Sequence, residues 1–244
     1  MKSVVNQTYW DITYSDYELR YDETLILFKD LFHKYLPKNG KCIEIGCYPG
    51  NYLIYLGKKF NYEVSGIDKT PYIERLRPYF EKNDVKIGNI FFDDFSTFST
   101  NEKYDVVCSF GFIEHFENTE EIIKKHISLL ETSGICIISS PNFRKIQYIL
   151  HYLLDKQNMD RHVTDSMNLK RWRTILEEND MEILHCGYYE TACFWTDSSN
   201  QNYLQKYCSK IISIIFTHIN NHIYYPNPYS SPHMICISRK KGDL

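Results

Sequence analysis

Four residues have the types and the spacing to hold a cofactor: Glu44, Gly46, Gly50 and Asp68. A short apolar strand, Cys42-Ile43-Glu44-Ile45, carries the carboxylate and runs into a glycine turn from Gly46 to Gly50. A helical pattern follows, with Leu53, Ile54, Leu56 and Phe60 spaced to face a core, and Asp68 closes the next strand, Val64–Asp68. Such a strand–turn–helix–strand unit suits a nucleoside-like ligand at the carboxyl ends of parallel strands, where a terminal carboxylate accepts both hydroxyls of a ribose. Gly46 allows the sharp turn and lets a ligand lie against bare backbone, and Gly50 lets the helix start close to the strand. The pattern reads E-x-G-x-x-x-G. It is not the G-x-G-x-x-G turn that aims a helix N-terminus at a pyrophosphate. A wider turn with a leading carboxylate suits a ligand that carries cationic groups and no phosphate.

The elements that must position these residues are legible on both sides. A third strand is expected over Val85–Ile90, followed by Phe91-Phe92-Asp93-Asp94-Phe95, and a fourth over Tyr104–Ser109, followed by Phe110-Gly111-Phe112-Ile113-Glu114-His115-Phe116. The next helix has Asn118 and Glu121 placed as a capping box and Ile122, Ile123, Ile127 and Leu130 on its buried side. Gly134 opens a fifth strand, Ile135–Ile138, ending in Ser139-Ser140-Pro141-Asn142. Upstream, a helix is expected from about Asp22, with Leu25, Phe28, Leu31, Phe32 and Tyr35 on one face and Pro37 as its stop.

Downstream, the spacing predicts a helix over 143–155 with Ile146, Ile149, Leu150, Leu153 and Leu154 as its apolar positions. It predicts a second over Leu169–Asn179 with Trp172, Ile175 and Leu176, and a strand over Met181–His185. An amphipathic helix follows over 200–219, built on Leu204, Cys208, Ile211, Ile212 and Ile215, and a last strand over His233–Ser238. Tyr225-Pro226-Asn227-Pro228 reads as a surface loop.

The order of these segments resembles the class I S-adenosylmethionine-dependent methyltransferases. E-x-G-x-x-x-G is similar to their first motif, and the likeness covers Asn39–Asn142 well and reaches weakly to Tyr189. Ile113-Glu114-His115 after the fourth strand is similar to a subgroup that includes ubiquinone-type O-methyltransferases and many sugar methyltransferases. The resemblance implies an α/β, Rossmann-like, seven-stranded, mostly parallel sheet flanked by helices. It implies one domain over 1–244: an N-terminal lid and helix in 1–38, a cofactor-binding core in 39–142, and acceptor-side helices in 143–232.

It also implies S-adenosylmethionine as cofactor, with S-adenosylhomocysteine as product. The implied cofactor-binding set is Tyr9, Trp10, Glu44, Gly46, Cys47, Gly50, Asp68, Lys69, Asp94, Phe95, Phe110 and Gly111. Asp94 with Phe95 is the match at the adenine, and Asp93 is the alternative. Trp10 or Tyr9 could cover the sulfonium, since an aromatic face attracts a cation; simple packing on the domain is the other reading.

Methyl transfer from a sulfonium needs an acceptor placed in line and, for a hydroxyl, a base. His115 is the first candidate, with Glu114 to orient it, and His162 is the second. A packing role for either histidine is the competing reading. Some relatives with this tripeptide look metal-dependent. No second ligand cluster is evident in register here, so no metal is expected. The Ser-Ser-Pro-Asn ending and the helical stretch after it resemble methyltransferases of surface-polysaccharide and nucleotide-sugar pathways, and that resemblance implies a sugar, nucleotide-sugar or capsule phosphoramidate acceptor; Arg144, Lys145 and Arg161 could meet a phosphate or be solvated surface. A quinone or lipid acceptor is the chief rival, for which the exposed side of the 200–219 helix should be apolar; Lys206 and Lys210 count against it.

Composition narrows the classes. A net charge of -3 argues against a nucleic-acid polyanion as the main partner, and a 43% hydrophobic fraction supports a proper core. The 8 cysteines include no C-x-x-C pair, so neither a disulfide framework nor a zinc site is expected. Cys47, in the cofactor turn, is expected to be open to slow modification when the site is empty. The N-terminus carries no signal-peptide pattern and no apolar run is long enough to span a bilayer, so a cytoplasmic, small-molecule enzyme is expected. A nicotinamide-dependent oxidoreductase and a non-catalytic scaffold are the alternatives outside the class.

Overall fold

The computed structural model describes residues 3–242. Strand β1 (Lys41–Ile45) is buried on both faces from Cys42 onward, as a central parallel strand must be. It pairs in parallel with β2 (Glu63–Asp68) on one side and β4 (Tyr104–Phe110) on the other. Strand β3 (Ile87–Phe92) extends the sheet beyond β2, and β5 (Leu130–Pro141) lies parallel to β4. Strand β7 (His233–Lys240) runs antiparallel between β5 and β6 (Met181–Tyr189). The order is therefore β3-β2-β1-β4-β5-β7-β6, the expected seven-stranded, mostly parallel sheet. The order reverses between β1 and β4, and a ligand crevice belongs at the carboxyl ends of strands at such a switch point.

Side chains alternate across this sheet into two cores. Cys42, Val106 and Ile137 point to one side, with Leu53 and Phe60 of α3 (Asn51–Phe60), Phe32 of α2 (Lys29–Tyr35) and Phe80 of α4 (Leu76–Lys82). Ile43, Val107 and Ile138 point to the other, with Ile122 and Ile123 of α5 (Thr119–Ser128) and Trp172 and Ile175 of α8 (Leu169–Glu177). Fully burying each such side chain contributes roughly 1.5–3 kcal/mol. Trp172 is fully buried and donates its Nε1–H to the carbonyl of Ser166 at 2.6 Å, so its one polar atom is satisfied. Asn118 caps α5 by accepting from the Glu121 N–H at 3.2 Å. The Glu121 carboxylate returns to the Asn118 side chain, not to its backbone as a capping box would have it.

Several expected elements are corrected. The third strand begins two residues late, because Val85 is buried and bonded back to Phe80, ending the loop after α4. The fifth strand starts at Leu130, which pairs with Tyr104 ahead of Gly134. The single helix expected from Asp22 is split. Asp22 caps only a short turn, Glu23–Leu25, and Phe28 takes φ 62° before α2 begins, which leaves Leu25 exposed. The sixth strand runs to Tyr189, past His185.

The remaining helices are α1 (Gln7–Ser15), α6 (Ile146–Leu154), α7 (Lys156–Met159) and α9 (Tyr203–His222). In α6 and α9 the apolar positions expected inside (Ile146, Ile149 and Leu153; Leu204, Ile211 and Ile215) are exposed. Helix α6 instead buries Gln147 and His151, and α9 buries Ser209. Among the described residues no helix is long and apolar enough to cross a membrane.

Candidate active site

Two cavities open at the carboxyl ends of the strands. The first, about 350 Å³, is lined by Gly46, Asp68, Lys69, Asp93, Asp94 and Phe95, with Gly111 and Phe112 from the segment after β4. That volume is of the size that holds a small ligand. Asp68 ends β2 with its carboxylate fixed by two backbone donors, Tyr48 N–H at 3.0 Å and Thr70 N–H at 3.0 Å. Burial pushes its pKa up, and those N–H groups oppose the shift. Lys69 donates to Asp94 at 2.7 Å, and the Ser96 N–H donates to the same carboxylate at 2.8 Å. Burial works to raise the Asp94 pKa, but these partners hold it down at about 2. Asp93 also lines the cavity and accepts from the Asp94 N–H at 2.7 Å, so both acids reach this wall.

Glycine at 46 is a physical requirement. Its φ is +71°, and a Cβ there would meet the Phe112 ring at 2.6 Å. The absence of a side chain lets Phe112 close one wall. Gly50 has φ +87°, and the space beside it is filled by the Phe80 ring. It therefore docks α3 and touches neither cavity wall.

The N-terminal segment closes the other side. Val4 N–H bonds to the His115 carbonyl at 2.9 Å, and Arg75 donates to the Ser15 carbonyl at the end of α1. Trp10 and Tyr14 of α1 line the first cavity, their rings stacked at 5.8 Å. The Trp10 ring meets that of His115 edge-on at 5.3 Å.

The second cavity, about 380 Å³, lies on the β5 side of β4. Its walls are aromatic: Tyr9, Phe28, Tyr52, Phe110 and Trp195. Tyr52 and Phe110 stack at 3.8 Å. Polar groups come from Asn158, Arg161, Asp197 and the Glu114–His115–His162 group. Arg161 pairs with Asp197 at 2.7 Å and lies over the Tyr9 ring at 4.3 Å. Trp10, Gly111 and His115 belong to both cavities.

The two histidines are set alike. His115 Nδ1 is 2.9 Å from the Arg161 carbonyl, and His162 Nδ1 is 2.7 Å from that of Asn158. A carbonyl only accepts, so each Nδ1 carries the proton and each Nε2 presents a lone pair. Burial pushes His115 down to about 4, with the Arg161 charge adding and the bond to its carbonyl opposing. Burial and then the neighbouring His115 push His162 down to about 3. Glu114 is 1% exposed with Oε2 unpartnered, and burial pushes its pKa up to about 8. All three groups are therefore mainly neutral at pH 7.

Their ligating atoms lie within 4.8 Å of one another. The ligand cluster that the spacing along the chain did not reveal is thus assembled by the fold, with each imidazole oriented through its far nitrogen as a metal-binding histidine is.

The remaining expected site residues are corrected or relocated. Glu44 is buried within β1 with Oε2 unpartnered and lies on neither wall; burial, then the Asp68 charge, push its pKa well up. Cys47 is buried against Gly66 with its thiol pushed well up, so it is not the open, modifiable group expected. All 8 cysteines are free. Tyr9 and Phe110 line the second cavity rather than the first. Arg144 donates to the Met167 carbonyl and Lys145 is exposed, and neither lines a cavity.

Sequence reasoning missed Tyr14 and Phe112 in the first cavity and Tyr52, Trp195 and Asp197 in the second. Tyr52, directly after the glycine turn, was the one with a local signal. Trp195 and Asp197 sit in irregular chain after β6, where no period marks them.

The Methyltransferase domain family matches residues 17–186, well over half of the chain. The chain is 33% identical over 109 residues to a ubiquinone biosynthesis O-methyltransferase of Rickettsia canadensis, covering 44% of this chain and 45% of that protein. It is 24% identical over 146 residues to an (S)-coclaurine N-methyltransferase of Papaver somniferum, covering 57% and 40%. The chain thus matches less than half the length of these curated relatives. In fold it is similar to the N-methyltransferase NodS of Bradyrhizobium japonicum, solved with S-adenosylhomocysteine, at 14% identity and a TM-score of 0.52 over 86% of this chain and 81% of that one. It is similar also to the [4+2]-cyclase SpnF, at 10% identity and a TM-score of 0.60 over 88% and 80%.

Proposed function

This chain belongs to the methyltransferase domain family, and from that premise we propose that it uses S-adenosylmethionine and methylates a hydroxyl oxygen of a small, planar, apolar acceptor held in the second cavity. The observation that carries this reading is the sharing of Trp10, Gly111 and His115 between the two cavities. A sulfonium methyl bound in one cavity and an acceptor oxygen bound in the other would meet at His115.

In the first cavity Asp68 takes the ribose hydroxyls, and Asp94 or Asp93 with Phe95 takes the adenine. The bare backbone of Gly46 lets the cofactor lie close, and the faces of Trp10 and Tyr14 attract the sulfonium. When bound, S-adenosylmethionine would supply an activated methyl group for in-line transfer to the acceptor oxygen, with S-adenosylhomocysteine as the leaving product. The acceptor proton passes to the Nε2 lone pair of His115, which the Arg161 carbonyl aims through Nδ1. Glu114, once ionised, stabilises the imidazolium, and His162, whose Nε2 is likewise an acceptor, offers the hydroxyl proton a second landing point beside His115. A divalent ion at this group would be held by Glu114, His115 and His162 and would act as a Lewis acid on the acceptor oxygen. The metal-free base is the reading taken here, and activity in excess chelator tests it.

The aromatic walls support a phenol or quinol class of acceptor, in keeping with the ubiquinone-pathway relatives. A sugar or nucleotide-sugar hydroxyl is the second reading, favoured by Asn158 and the Arg161–Asp197 pair. Its phosphate-binding support is reduced, because Arg144 and Lys145 stand outside the cavity.

The test is methyl transfer from labelled S-adenosylmethionine to a panel of catechols, hydroquinones and nucleotide sugars. Transfer to the aromatic hydroxyls is expected. Transfer confined to nucleotide sugars would replace this acceptor class with the second, and transfer only to amines would overturn the hydroxyl assignment.

A further inference from the structure

Helices α6 and α9 lie side by side, tied by Gln205 Nε2 donating to the Leu153 carbonyl at 3.2 Å and Gln201 Nε2 to that of Leu154 at 2.8 Å. Both turn apolar side chains away from the protein. On α9, Leu204, Tyr207, Ile211, Ile214 and Ile215 follow one another at helical spacing, and Leu204 is 68% exposed and Ile214 60%. On α6, Ile149, Tyr152 and Leu153 do the same. Single exposed apolar residues need no account, but a two-helix face of them marks an interaction surface.

The charges around this face select its occupant. Neither helix contains a carboxylate, and the chain carries no Asp or Glu from Ser198 to Gly242. Lys206 and Lys210 stand one turn apart along the edge of the α9 stripe, and Lys145 precedes α6. Among the described residues none of these three forms an ion pair, although the protein as a whole is net negative at -3. Apolar residues bordered by unpaired lysines, with acids excluded locally, complement a surface that is apolar beneath and anionic on top. A second copy docking on the same face would bring the lysines of the two copies together.

We propose that α6 and α9 form a peripheral docking surface for an anionic lipid membrane, with the apolar stripe entering the headgroup boundary and the lysines meeting lipid phosphates. This rests on the helix faces alone and is independent of the acceptor assigned above. The flanking lysines, which argued against lipid contact when the helix was read alone, are on this geometry part of the attraction.

The experiment is vesicle co-sedimentation of the whole chain, using phosphatidylcholine alone and phosphatidylcholine with about one lipid in four replaced by phosphatidylglycerol. The wild type is expected to bind the anionic vesicles about tenfold or more tightly than the neutral ones, and to weaken with salt. The double variants Ile211→Glu/Ile215→Glu and Lys206→Glu/Lys210→Glu should each lose about tenfold or more in partitioning. Both should keep wild-type S-adenosylmethionine affinity, which shows that they are folded. Absence of binding to either vesicle, equal binding to both, or wild-type binding by the folded variants would overturn the proposal. So would a wild-type dimer in light scattering that the Ile211→Glu/Ile215→Glu variant dissociates, which would assign the face to a second copy.

Discussion

The rings of His115 and His162 lie 4.9 Å apart, each with Nδ1 bound to a backbone carbonyl, so that both Nε2 atoms are left as acceptors beside the Glu114 carboxyl. Two residues 47 positions apart in sequence are thereby given one chemical character. Replacing His115 by Ala should lower kcat by about 10²–10⁴-fold, the range of a lost general base, while cofactor affinity stays near wild type. Single-turnover kinetics and calorimetry separate the two, and an unchanged kcat would remove His115 from the reaction.

The Glu114 carboxyl, raised to about 8, makes the reaction pH-dependent in a definite direction. If its ionised form supports the imidazolium, kcat rises as pH passes through about 8, and Glu114→Gln flattens that limb. A wild-type profile that is flat between pH 7 and 9 would exclude the role.

The same shift affects stability. In the unfolded chain this carboxyl ionises near its ordinary 4.5, so its contribution is fully present below that pH and is lost as pH rises toward about 8. Glu114→Gln should therefore gain thermal stability relative to wild type as pH is raised across that window. His115 and His162 act oppositely. Their folded values, about 4 and about 3, lie below the ordinary 6.5, so the native state loses stability as pH falls below 6.5. Melting curves of the wild type and Glu114→Gln from pH 4 to 9 check both signs.

Asp68→Ala should weaken S-adenosylmethionine and S-adenosylhomocysteine by at least about tenfold, since a carboxylate hydrogen bond is worth about 1.5–3 kcal/mol. NAD should not bind the wild type. Titration calorimetry with the three ligands decides this, and micromolar NAD affinity would revive a dinucleotide reading.

Added zinc should inhibit, because an ion held by Glu114, His115 and His162 occupies the lone pair that takes the proton, and excess chelator should restore full activity. Activity lost to chelator and regained with a divalent ion would make the ion part of the catalyst.

Gly46→Ala should destabilise the protein by about 1–2 kcal/mol from its left-handed backbone alone, with more from the clash with Phe112. Denaturant unfolding with and without S-adenosylmethionine measures it, and a shrunken cofactor-induced gain would report the displaced Phe112 wall.

The sheet was legible because buried strands, a glycine turn and helix faces each leave a period or a residue type in the chain, and the order of those segments resembles a known family. Gly46, Asp68, Lys69, Asp94, Phe95 and Gly111 all reach the first cavity. Glu44 and Cys47 are buried behind the lining, Glu44 beside Asp68 and Cys47 against Gly66, and neither is on the wall. Phe28 was read as a helix-face residue, yet it breaks the helix and reaches the second cavity; its φ of 62° has no signature in residue type.

The sequence by itself determined the succession of strands and helices along the chain, the glycine turn and the neighbourhood of His115, since these depend on residue types and periods close along the chain. Only the tertiary structure decided that His162 joins Glu114 and His115, that Trp195 and Asp197 complete the wall of the second cavity, and that α6 and α9 turn their apolar faces outward. An amphipathic period states that a helix has two faces. Which face meets the protein depends on the polar groups waiting there, and here Gln147, His151 and Ser209 are the residues taken inside.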